Sequence, residues 1–220
     1  MQDLSKRRPS CGHLTVELVK TAGELAGHLF GALPTKQVVT VAIRIFDSAS
    51  GAWPLTGDGE GQHVLAYSDS WGGWYNGVHY ADNVELAKAK FPKARVVQIS
   101  VVPPGQKAVA GYDVENGALT IEEACGLVNH DIVKLNRRPF LYGAGDTIPE
   151  LKAYIHQHYT QIQDKVDYFL AQPDGVSEVP PGFIGKQFSW PDVHPIVANQ
   201  GYDVSVLLTT AACLKTGDRQ

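Results

Sequence analysis

The chain has 220 residues, of which 44% are hydrophobic and 19% charged, with a formal net charge of -4, the balance of an ordinary globular protein with one sizeable core. Its basic cluster, Lys6-Arg7-Arg8, lies near the start, so the charge pattern gives no groove for nucleic acid. Cys11, Cys125 and Cys213 lie far apart with no CxxC pair, which excludes a complete disulfide framework and predicts buried or inert thiols.

Residues 14 to 33 place Leu14, Leu18, Ala22, Leu25, Leu29 and Leu33 at three- and four-residue steps, an amphipathic helix closed by Pro34. Glu17, Lys20, Glu24 and His28 interrupt the same segment, so it is neither a secretory signal core nor a membrane span. The expectation is synthesis in the cytoplasm without a signal peptide or membrane insertion. An extracellular target would then be reached by lysis, by a route other than Sec, or in a particle. "QVVTVAIRIF" (37 to 46) predicts a strand and "DSASGAWPLTGDGEGQ" a long surface loop. Residues 1 to 60 are accordingly read as an N-terminal helix and strand extension.

A repeating strand, turn, helix pattern follows. "HVLAYSDS" (63 to 70), "ARVVQISVV" (94 to 102) and "KAVAGYDVE" (107 to 115) are strands, with a helix over 81 to 91 between the first two. Thr120-x-x-Glu123 is a capping box, and Ile121, Cys125, Val128, Ile132 and Leu135 fall on one face of the helix it opens. "RRPFLYG" (137 to 143) is a strand, and Thr147-x-x-Glu150 reads as a second capping box, before a stripe of Ile148, Leu151, Ile155, Tyr159 and Ile162. "VDYFLA" (166 to 171), "GFIGKQFSW" (182 to 190) and "GYDVSVLL" (201 to 208) complete the set. Strands alternating with helices predict a parallel α/β arrangement. Eight candidate strands in a chain shorter than the usual barrel of about 250 residues predict a reduced or irregular (β/α) TIM-like barrel over 61 to 210, beside the extra N-terminal helix and strand and a tail at 211 to 220. A doubly wound open sheet is the competing architecture, but neither GxGxxG nor a Walker sequence occurs.

"GYDVENG" (111 to 117) carries Asp113 and Glu115 at i and i+2 near the end of a strand. That spacing points both acids to one face while Tyr112 and Val114 take the other. The C-terminal edge of a parallel barrel is where chemistry is built. Like charges this close in a shielded cleft raise one pKa, leaving a proton donor beside a carboxylate, the pairing that glycoside hydrolysis requires. Asp69 in "AYSDS", Asp203 in "GYDVS" and Tyr142 closing "PFLYG" extend the constellation. A lone acid at a strand end also serves as a turn or helix cap, and an acidic pair at a loop mouth can simply be solvated. Trp71, Trp74 and Tyr75 follow Asp69 closely and suit stacking on sugar C–H faces; they suit a core or an interface equally.

The order of "AYSDS", "GYDVE", "RRPFLYG", "VDYFLAQPDG", "GKQFSW" and "GYDVSVL" resembles the lysozymes of glycoside hydrolase family 25 and the glycoside-hydrolase-like barrels of actinobacteria and their phages. The resemblance covers residues 63 to 208, and its specific element is Asp-x-Glu at the end of a middle strand. It implies Glu115 as general acid, Asp113 as a partner that orients it or stabilises charge, Asp69 and Asp203 as further cleft carboxylates, and Tyr142 as a wall of the sugar site. The implied substrate is the β-1,4 linkage after N-acetylmuramic acid in peptidoglycan, with no metal or organic cofactor.

Other chemistries have less support. His156 and His158 are two apart on a helix, which turns their rings about 200° from one another. His130-Asp131 reads as a solvated helix face. GxSxG is absent, and Cys125 falls on an apolar stripe. The alternative to an enzyme is an inactive hydrolase-like domain that serves as a phage virion or structural protein or binds the cell wall, with a homo-oligomer or particle proteins as partners. A sugar-binding module using Trp71 or Trp74 is the third reading.

Overall fold

The structure, a computed structural model, describes residues 41–48, 51–68, 74–75, 78–79, 83–104, 108–115, 118–197 and 200–212, with backbone only for residues 68, 74–75 and 78–79. The helix read at 14 to 33, Cys11, Cys213 and most of the tail at 211 to 220 lie outside these residues.

The elements run β1 Ala42–Asp47, β2 His63–Ser68, a small hairpin of β3 Trp74–Tyr75 and β4 Val78–His79, α1 Val84–Lys90, β5 Arg95–Ser100, β6 Gly111–Asp113, α2 Ile121–Lys134, β7 Phe140–Ala144, α3 Thr147–His158, a 3-10 turn at Thr160–Lys165, β8 Asp167–Ala171, β9 Gly185–Ser189 and β10 Asp203–Leu208. Eight of the strands close into a barrel in the order β1-β10-β9-β8-β7-β6-β5-β2. This is the α/β, TIM-like barrel that the alternating pattern predicts, with helices only in the β2–β5, β6–β7 and β7–β8 connections among the described residues.

Seven strands run one way, and β10 runs against both of its neighbours, β1 and β9. The lacing is uneven. Six residue pairs join β2 to β5, but only Phe46↔Val64 and Asp47↔Leu65 join β1 to β2, and only Ile99↔Gly111 and Ser100↔Tyr112 join β5 to β6.

Alternation along each strand separates two apolar layers. The barrel interior holds Ile45, Leu65, Ile99, Phe140, Phe169 and Leu207. The intervening residues Tyr112, Val114, Leu141 and Leu170 face outward and pack with Val128 of α2 and Leu151 and Ile155 of α3. Cys125 is buried in that outer layer, and burial pushes its thiol up to about 12, as expected for an inert cysteine.

Four expectations are corrected. Sequence reasoning sets the strand at 37 to 46 apart from the barrel, whereas Ala42–Asp47 is one of its staves, because β10 is reversed and needs an antiparallel partner on its free side. The loop after β1 is not wholly a surface feature: Trp53 is buried against Phe91, and its indole N–H donates to the Leu65 carbonyl at 3.3 Å. The capping box at Thr120 and Glu123 forms, but the one read at Thr147 and Glu150 does not. Asp146 is the N-cap there, so the helix starts one residue early and Glu150 stands beyond the position that reaches back. Asp131 does not lie on a solvated face. It is buried, accepts the Tyr112 hydroxyl at 2.9 Å and pairs with Arg137 at 3.0 Å, while His130 beside it is exposed.

No helix among the described residues is long and apolar enough to cross a membrane.

The barrel interior tolerates no extra atom at Gly111, where a β-carbon would stand 2.3 Å from the Phe140 ring of the paired strand. Gly111→Ala is expected to lower unfolding stability by about 1–3 kcal/mol, the usual effect of overpacking a core, with urea denaturation as the measurement.

Candidate active site

The site lies at the barrel rim formed by the C-terminal ends of β1, β2, β6, β7 and β9. Inward-facing positions recur every second residue, so β1 sends Ile43, Ile45 and then Asp47 toward the interior, and β2 sends Leu65 and Tyr67. On β6 the same period gives Gly111, Asp113 and, just past the strand, Glu115. Asp203 opens β10. In a wholly parallel barrel it would fall on the opposite rim; reversal of β10 makes it the direct cross-strand partner of Asp47.

Four carboxylates therefore cluster at one rim of the barrel: Asp47, Asp113, Glu115 and Asp203. Each of the other three acts electrostatically on Asp47, and Glu115 acts on Asp203 and Asp113. Asp47 and Asp113 are 2% and 4% exposed, so neither has bulk water to spread its charge.

Burial is the largest influence on all four. It raises Asp47 well above its ordinary value, with Asp203, Asp113 and Glu115 pushing the same way and the Tyr67 hydroxyl opposing. It likewise raises Asp113, with the Glu115 charge adding and the Glu115 backbone N–H opposing. Glu115 is raised by burial. Asp203 is raised to about 7 by burial and Glu115, against a hydrogen bond from Gln187. Burial and like charge in such a cluster favour the protonated carboxyl, which is what a general acid needs.

Hydrogen bonds fix the carboxylates. The Glu115 backbone N–H donates to Asp113 Oδ1 at 3.0 Å, which locks the turn that carries both acids. The Tyr67 hydroxyl donates to Asp47 Oδ2 at 2.9 Å, while Asp47 Oδ1 is buried with no hydrogen-bond partner among the described residues. Tyr142, which the sequence places at the sugar site, donates its hydroxyl to Gln187 Oε1. Burial and the surrounding carboxylates raise both tyrosines well above their ordinary values, so each is a neutral hydroxyl donor.

Asn83 braces the rim from outside. Its Nδ2 donates to the Ser48 carbonyl at 2.8 Å, and its Oδ1 accepts the Tyr67 backbone N–H at 2.7 Å, so one buried amide ties the end of β1 to the end of β2. The residue stands at the N-cap of α1 but makes no side-chain cap bond.

Of the residues expected from sequence, Asp113, Glu115, Asp203 and Tyr142 come together. Asp69 and Trp71 lie outside the described residues, and Trp74 and Tyr75 are described only as backbone, paired with His79 and Val78. Sequence reasoning misses Asp47, Tyr67, Asn83 and Gln187. The signal for Asp47 was present, since it ends "AIRIFD" as Asp113 ends "GYD", but the strand was assigned outside the barrel. His156 is exposed and contacts Gln163, and His158 stacks on Tyr154, so the two rings engage separate partners. No group of three or more His, Cys, Asp or Glu among the described residues is arranged to hold a metal ion.

No protein-family model matches the chain, and no curated protein matches it. Among solved structures, a muramidase from Acremonium alcalophilum is similar at 15% identity and a TM-score of 0.41, over 74% of this chain and 92% of that one.

Carboxyls with raised pKa bind protons more tightly in the folded than in the unfolded chain, so stability is fullest below the unfolded values and falls as pH rises through the folded ones. For Asp203 that window runs from 3.8 to about 7. The thermal midpoint is expected to be higher at pH 5 than at pH 8, by about 5 °C for a chain of this size, and Asp203→Asn to flatten the dependence. Calorimetry across that range checks both.

Proposed function

We propose that the chain is a glycoside hydrolase of lysozyme type that cleaves the β-1,4 linkage after N-acetylmuramic acid in peptidoglycan. The observation that carries the reading is the convergence of Asp47, Asp113, Glu115 and Asp203 with Tyr67 and Tyr142 at one rim of the barrel. Its hydrolytic class rests on that chemistry. The choice of peptidoglycan rests on the sequence resemblance, whose Asp-x-Glu motif falls on Asp113 and Glu115.

Glu115, at the mouth and less enclosed than Asp113, is the general acid. Its proton passes to the bridging oxygen as the bond from C1 to that oxygen breaks, water supplies the hydroxyl that ends on C1, and the other proton of that water returns to Glu115. Positive charge gathers on the sugar ring in the transition state. Asp203, raised to about 7, stabilises that charge when ionised, while Asp113, held well above its ordinary value, stays beside Glu115 as its hydrogen-bonded neighbour. The Glu115 N–H on Asp113 Oδ1 holds that carboxylate in place, and the hydroxyls of Tyr67 and Tyr142 supply donors without adding charge.

In the resemblance, one cleft carboxylate belongs to the first barrel strand. That strand is β1, so we assign the role to Asp47 rather than Asp69.

Wild-type protein is expected to release reducing ends from purified peptidoglycan, and Glu115→Gln to reduce the rate by about 10²- to 10⁴-fold, the range for loss of a general acid. Saturable glycan binding without turnover in either form would instead support a wall-binding module. Asp47→Asn should also depress turnover, and more than Asp69→Asn does. Because Asp47 is a buried acid held far above its ordinary pKa, the amide should leave the thermal midpoint equal or higher at neutral pH. Equal loss of stability and activity would make Asp47 a structural residue.

A further inference from the structure

Gln187 occupies an unusual place at this rim. It is 2% exposed on β9, and its register neighbours are Ala171 on β8 and Ser205 on β10. Tyr142 stands two strands away on β7, its ring against Phe169 at 5.4 Å between centroids. The strand between presents only the Ala171 methyl beside Gln187, and Gly185 below it makes room for the Phe169 ring, which a β-carbon there would meet at 2.4 Å. The Tyr142 hydroxyl thus crosses β8 and donates to Gln187 Oε1. Ser205, the register partner of Gln187 on β10, stands two residues from Asp203, and the Gln187 side chain acts on that carboxyl so as to favour its ionised form.

A primary amide has one accepting end and one donating end. With the tyrosine proton on Oε1, the end left to serve a carboxylate is Nε2, a donor that favours the ionised form. Turning the amide over would set Oε1 against Asp203 oxygen. Asp47, the direct partner of Asp203 across the β1–β10 ladder, receives the Tyr67 hydroxyl on Oδ2, and its Oδ1 has no donor among the described residues. Two carboxylates facing each other in a dry site do not both ionise readily. The remaining groups that act on the pair are Asp113 and Glu115 from β6, Tyr67 from β2 and Tyr142 from β7. Lys186, next to Gln187, is held by Asp174 at 2.7 Å on the barrel's outer side.

We propose that Gln187, oriented by Tyr142, is the positioning residue that apportions the proton between Asp47 and Asp203, so that Asp203 ionises first and Asp47 keeps the proton. The amide acts through the carboxylates and need not touch substrate. Its catalytic consequence rests on the glycosidase reading: the ionised group is placed on β10, where it can face a cationic transition state, and the neutral one on β1.

The test is carboxyl carbon-13 NMR titration of the substrate-free protein, with Asp47 and Asp203 assigned by their Asn variants. In Gln187→Met the Asp203 midpoint should rise by about one pH unit, a tenfold change in proton affinity, and the Asp47 midpoint should fall. Tyr142→Phe, which removes a single hydroxyl, should move Asp203 the same way by less, and it carries the test alone if the methionine variant does not fold. Midpoints unchanged from wild type overturn the proposal, as would Asp47 ionising before Asp203 in the wild type. The titration is independent of turnover: absence of peptidoglycan hydrolysis would sink the glycosidase reading and leave the proton assignment standing, while hydrolysis with unmoved midpoints would do the reverse.

Discussion

The antiparallel course of β10 between β1 and β9 is the constraint on which the mouth of this barrel depends. Had the last strand run with the others, Asp203 would stand at the far rim. Reversed, it meets Asp47 residue for residue, and Gln187 on the neighbouring strand comes within reach of its carboxylate. The same reversal recruits β1 into the wall, because a reversed strand must find partners on both sides if the sheet is to close without an open edge.

Gathering four carboxylates, two of them buried and two half-buried, works against folding, and the surrounding structure shows how the load is carried. The apolar layers on both sides of the wall are continuous, with Phe140, Phe169 and Leu65 inside and Leu141, Val128 and Leu151 outside. The strand that bears Asp113 is held from behind: Tyr112, the adjacent residue with the opposite facing, is anchored through Asp131 to Arg137. The inward face of β6 is thus committed to chemistry and its outward face to anchorage, with one residue of offset between them. Buried acids that lack opposite charges, together with dense packing around them, are the usual mark of a site where stability yields to function.

Much of this was legible in the sequence because the signals were periodic. All eight barrel strands coincide with segments that alternation and β-branched content pick out, and the Asp113–Glu115 pair follows from two-residue spacing alone. What escaped was non-local. Nothing within "QVVTVAIRIF" says that its partner lies some 160 residues later, and without that pairing Asp47 looks like the first residue of a loop. Asn83 and Gln187 escaped for a related reason: an amide has no charge or periodicity to betray it, and its importance depends on what stands at its two ends. The second capping box failed on a one-residue offset, set by where the chain leaves β7, which local pattern does not encode.

The uneven lacing of the wall gives the rim a built-in line of parting. Strands β2 and β5, bound to each other by six pairs and backed by α1, meet the rest of the cylinder through only two pairs at either side. Local opening begins where few backbone hydrogen bonds hold, so these two seams are where the wall is expected to part first. One of them is basted at the rim by Tyr67 on Asp47 and by the Asn83 amide. Release of that stitch would widen the rim along the seam between β1 and β2, next to the carboxylate on the last residue of β1.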